Sequence, residues 1–81
     1  NFNLENLISK IILDKKYKKD VSIKNLIYLL IELYFRNNIS IKNIEMINMY
    51  KYFIDKINNT KLFNLDEESL FIEFEDKILN E

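Results

Sequence analysis

The sequence has no cysteine, proline, glycine, histidine, tryptophan, glutamine or alanine, and each absence closes off some chemistry. Without cysteine there is no disulfide staple, no thiolate ligand and no thiol nucleophile. Without histidine the usual proton shuttle near neutral pH is missing, and with both gone an ordinary zinc site cannot be assembled. Without glycine or proline, tight turns lack both the residue that enters left-handed backbone without steric cost and the residue with a fixed φ. A hairpin-rich β fold depends on such turns, so a few helices with short connections are favoured. Asparagine must then take the left-handed positions, and the pairs Asn37-Asn38 and Asn58-Asn59 mark expected loops.

Long apolar runs are also scarce. The longest runs from Leu26 to Ile31 and is broken by Glu32, far short of the ~20 residues of a membrane span. No basic segment leads into an apolar stretch with a small-residue cleavage site, so no secretory signal is read. Because the fold needs no oxidising compartment, an intracellular setting is expected. The start at Asn1 rather than Met is compatible with excision from a larger protein.

What is present is dense in large apolar groups. Of the 81 residues, 48% are hydrophobic, mostly Ile, Leu, Phe and Tyr, and Val21 is the sole valine. That length supports a single domain, residues 1–81, and so short a chain needs bulky side chains to build a core. The dominance of Asn, Ile and Lys is the signature of an A+T-rich genome, which weakens any argument from lysine counts. The net charge of −1 creates no global field for nucleic acid or an anionic membrane. Its distribution is uneven, however. Residues 1–65 carry excess Lys and Arg, whereas residues 66–81 carry Asp66, Glu67, Glu68, Glu73, Glu75, Asp76 and Glu81 against Lys77 alone.

One pattern recurs: an apolar residue, a capping residue, and another apolar residue four positions after the cap. It occurs as Phe2-Asn3 with Leu7, Val21-Ser22 with Leu26, Ile39-Ser40 with Ile44, and Leu65-Asp66 with Leu70. Asn, Ser and Asp cap helices by accepting a bond from a first-turn amide, and the flanking apolar pair staples the entry. The sequence therefore predicts about four helices, over residues 4–16, 23–36, 41–57 and 67–80, packed as an all-α antiparallel bundle. The segments beginning Val21-Ser22-Ile23-Lys24-Asn25 and Ile39-Ser40-Ile41-Lys42-Asn43 look like a repeat, read as shared capping chemistry rather than a duplicated unit.

In the first helix Leu4, Leu7, Ile8, Ile11 and Ile12 form a stripe and Leu13 falls off it. The second is apolar around most of its circumference and is expected at the centre of the fold. In the third, Met46, Tyr50, Phe53, Ile54 and Ile57 share a face. In the fourth, Leu70, Phe71, Phe74 and Ile78 form the main face, and Ile72 and Leu79 lie on a second. A β alternative rests on short alternating stretches such as residues 70–74, but the 3.6-residue period outlasts them.

No catalytic, cofactor-binding or metal-binding residues are assigned. Ser22 and Ser40 are read as caps, no serine has a base beside it, and carboxylate pairs such as Glu67-Glu68 and Glu75-Asp76 need a cleft before they can do acid–base work or hold a cation. The expected role is non-enzymatic: a protein–protein interaction or assembly domain using the acidic, apolar last helix. Leu13, Ile72 and Leu79 are its apolar anchors and Glu73, Glu75 and Asp76 its rim, with another protein or a second copy as partner. Tyr28 and Tyr52 are further candidate surface aromatics. One alternative is a nucleic-acid-binding accessory domain, with Lys15, Lys16, Lys18 and Lys19 on phosphates and Tyr17 stacking on a base. A helix-turn-helix version of it would read a groove with Lys42, Asn43 and Asn48. Another alternative is a small inhibitor or immunity-type protein whose acidic surface masks a basic site.

Overall fold

The structure, a computed structural model, describes residues 3–40 and 42–80. Phe2, Ile41 and Glu81, which enter the readings above, lie outside the described residues. Four α-helices follow in order: α1 Leu4–Asp14, α2 Val21–Asn38, α3 Ile44–Phe63 and α4 Glu67–Phe74. A 3-10 turn over Lys16–Lys18 joins α1 to α2, and a π turn over Glu75–Leu79 continues α4. No strand occurs among the described residues.

Local chemistry sets the boundaries. Asn3 caps α1 by accepting from the Asn6 amide (3.2 Å), and Asp66 caps α4 by accepting from Glu68 (3.0 Å) while the Ser69 hydroxyl donates to its other oxygen (2.9 Å). The two serine caps are corrected. Asp20, not Ser22, caps α2, accepting from the Ser22 amide at 2.9 Å. Asn43, not Ser40, caps α3, accepting from Met46 at 3.1 Å, while Ser40 Oγ accepts from Lys42 (3.3 Å) in the preceding turn. The near-repeat is thus not structural: Val21 to Asn25 is the first turn of a helix, whereas Ser40, Lys42 and Asn43 lie in the connection before the next.

The expected asparagine loops are corrected too. Asn37 and Asn38 end α2, where Asn38 Nδ2 donates to the Tyr34 carbonyl (2.7 Å), a bond that holds the last turn. Asn58 and Asn59 lie inside α3, because Phe53, Ile57 and Thr60 carry its buried face through them at i, i+4 and i+7 spacing. The left-handed positions fall instead at Lys15 (φ 58°), which ends α1, and at Asn64 (φ 53°), which ends α3. The α pattern of α4 stops at Phe74, but the expected helix runs on to Leu79. The wider π turn follows, closed by Asn80 N–H donating to the Glu75 carbonyl at 2.8 Å.

α2 is central, as its all-round apolarity implies. It packs on α1, the 3-10 turn and α3, and its Tyr28 and Tyr34 rings meet Phe71 and Phe74 of α4. Phe35 and Phe53 stack at 5.9 Å, and Phe74 lies edge-on to both (5.7 and 5.5 Å). Ile8, Ile27, Ile31, Leu70 and Phe71 fill the remaining core with no exposed surface. Offset and edge-on ring pairs each add about 0.5–1.5 kcal/mol beyond the area they bury, so large aromatics stand in for the numerous small residues of an ordinary core.

Candidate functional site

Two carboxylates of α4, Glu68 and Glu73, are held by cations of the same chain. On one flank Glu68 receives Lys18 Nζ at 2.8 Å, Lys15 Nζ at 3.6 Å and a long bond from the Tyr17 hydroxyl at 3.5 Å. The Lys18 hydrogen bond holds the Glu68 carboxyl below its ordinary range. On the other flank Glu73 receives the Tyr52 hydroxyl at 2.6 Å, Lys77 Nζ at 2.9 Å and Lys56 Nζ. Burial alone would raise Glu73, but the bonds from Lys56, Tyr52 and Lys77 prevail and hold it at about 2. Both ammonium groups also lie over the Tyr52 ring, at 5.7 and 5.2 Å. The two charged regions that the sequence sets apart are therefore partly joined: Glu68 draws in two lysines of the basic cluster, and Glu73 ties α4 to α3.

This geometry bears on each expected residue. Lys15, Lys16, Lys18 and Lys19 are all exposed, but Lys15 and Lys18 face Glu68. Tyr17, the expected stacking aromatic, is corrected: it is buried, edge-on to Phe71 at 4.9 Å. Burial, with the neighbouring Glu68 charge, pushes its phenol up to about 12. Tyr28 is likewise corrected from surface to core, with Lys61 Nζ 4.7 Å above its ring, whereas Tyr52 is exposed. Of the expected apolar anchors, Leu13 (77% exposed) and Ile72 (47%) face solvent, and Leu79 is half-buried against the core. Asp76 is exposed, while Glu73 and Glu75 are half-buried. Burial first, and the Asp76 charge second, raise Glu75. No set of three or more acidic side chains converges as a metal site among the described residues.

A further apolar feature lies on α2. Leu26, Leu29 (62% exposed) and Leu33 stand on the outer face of α2. Their i, i+3, i+7 spacing makes one stripe, opposite the buried Ile27, Ile31, Tyr34 and Phe35. Beside the stripe a groove of about 340 Å³ opens between α2 and α3, with Leu29, Tyr28, Ile54 and Ile57 as apolar walls and Asn25, Glu32, Asn58 and Lys61 as polar ones. It shares Leu29 and Glu32 with a hollow reaching Arg36, and Asn25, Tyr28 and Lys61 with one reaching Val21. The three together follow α2 from Val21 to Arg36, about 22 Å at the helical rise. Compared with known protein families, curated proteins and solved structures, the chain matches none.

The stripe and the hollows beside it leave one long side of α2 exposed. The sequence contained the signal, since α2 is apolar nearly all round. What it concealed was that neighbours cover only part of that circumference.

Proposed function

We propose that the chain is a non-catalytic protein-interaction domain whose α2–α3 groove receives an apolar helical face. The observation that carries this reading is the exposure of Leu26, Leu29 and Leu33 on the central helix. Scattered exposed leucines need no explanation, but three on one stripe, beside a groove with a mixed polar rim, have the form of a partner surface. A second surface, Leu13 and Ile72 with Asp76 beside them, keeps the acidic last helix in view because both apolar residues are exposed.

Placing a photo-cross-linking side chain at position 29, and separately at position 72, in the cell of origin discriminates the two. Adduct formation at 29 that disappears with Leu33→Asp is the expected outcome. Adducts at 72 alone would move the site to α4. No adduct at either position would end the reading. Leu29→Asp and Ile72→Asp are both expected to retain helical circular dichroism, because neither side chain is buried.

A further inference from the structure

The exposed stripe of α2 is nearly its own mirror under reversal. Leu29 stands near its middle, with Leu26 and Leu33 to either side. The charges along the groove are ordered as well. Lys61 lines the part nearer Val21, and Glu32 the part nearer Arg36. Lys61 has the Tyr28 ring beneath its ammonium at 4.7 Å, but no carboxylate within ion-pair distance among the described residues. Glu32 is bonded to Arg36 at 2.8 Å, one turn along the same helix, which leaves its remaining acceptor capacity for a second donor.

We propose that the occupant of the groove is a second copy of this chain, with the two α2 helices antiparallel about a two-fold axis near Leu29. The inference rests on the interaction reading above and gives it a partner. A two-fold contact uses the same patch on both subunits, so a stripe that survives reversal suits it. Reversal sets Leu26 of one copy opposite Leu33 of the other, and Leu29 opposite Leu29. It also brings Glu32 of one copy to the Lys61 end of the other, twice over, and Arg36 toward the end capped by Asp20. In a parallel arrangement Glu32 would face Glu32 and Lys61 would face Lys61, so the charges select the antiparallel one. Two helices meeting over about 22 Å fall at the small end of specific interfaces, and the dimer is accordingly weak and concentration-dependent.

Sedimentation equilibrium over an about hundredfold range of concentration tests this. The expected mass rises from 9.9 kDa toward twice that value. Leu29→Asp, and the milder Leu29→Gln, abolish the rise with helical content unchanged. Glu32→Lys and Lys61→Glu each weaken association about tenfold, and the double exchange restores it to within about threefold. A mass fixed at 9.9 kDa throughout overturns the inference, as does a double exchange no tighter than the single ones. The cross-linking at position 29 separates the two levels of failure. Adducts only with a chain of another mass sink the second copy and keep the interaction domain, whereas no adducts sink both.

Discussion

Lys15 holds φ 58° with a full side chain, in a region where glycine carries no steric penalty and most residues do. It is there because α1 must stop and reverse into the 3-10 turn, and the chain has no glycine to offer. Its amide closes the helix end by donating to the Ile12 carbonyl at 3.2 Å. Lys15→Gly is therefore expected to stabilise the fold by about 0.5–1 kcal/mol in urea titration. Lys15→Gln, which keeps the strain and removes only an exposed pair with Glu68, should change little. The sequence indicated that something unusual had to occupy left-handed backbone but named asparagine throughout. Asn64 obeys that logic; Lys15 does not, because position in the turn outranks intrinsic preference. Single core residues were easier to foresee. Spacing alone places Phe53, Phe71 and Phe74 inward, and all are fully buried.

Elements were legible as periods and less so as ends. All four helices lie where apolar stripes predict them, because those stripes are what the core buries. The ends depend on which of several neighbouring polar residues caps, and the sequence offers Asp20 beside Ser22 and Asn43 beside Ser40. Asp20→Ala should cost about 1 kcal/mol in thermal or urea melts and Ser22→Ala almost nothing, since only the Asp20 side chain receives a first-turn amide. The attachment of α4 was not legible at all. Pairing Glu73 with Tyr52 and Lys56 requires knowing that α3 and α4 run side by side in opposite directions. Glu73 sits at about 2, below the ordinary value of 4.5. A carboxylate depressed on folding stabilises above its unfolded value and loses that contribution as protons are added. Stability should therefore fall as pH drops from about 4.5 toward 2. Glu73→Gln should flatten that part of the pH profile of the urea midpoint; an unchanged profile would remove the clamp as its cause.

At the scale of the whole molecule, shape explains what the core leaves over. The helices form a slab of 39 × 34 × 19 Å, only about two helix diameters deep. Its 5793 Å² of accessible surface exceeds the about 5,200 Å² that size scaling gives for a protein of this mass. A flat arrangement cannot cover α2 on every side, so the excess of apolar faces in the sequence reappears as Leu26, Leu29 and Leu33 on the outer face of that helix, as Leu13 and Ile72, and as Leu62 and Phe63 at the end of α3. Counting apolar stripes foretold the excess, but its location depends on how the layers stack. Among the described residues no helix is long and apolar enough to cross a membrane.

Each helix packs chiefly on its neighbour in sequence: α1 on α2, α2 on α3, and α3 on α4. Few loops need to close before contacts reward the chain, which places it among fast folders, with relaxation in microseconds to milliseconds. No proline is present to add a phase of tens of seconds. The latest event should be the seam between the two ends of the chain, where Tyr17 reaches Glu68 across 51 positions of sequence. In temperature-jump relaxation combined with equilibrium unfolding, Tyr17→Phe should then speed unfolding while leaving the folding rate nearly untouched.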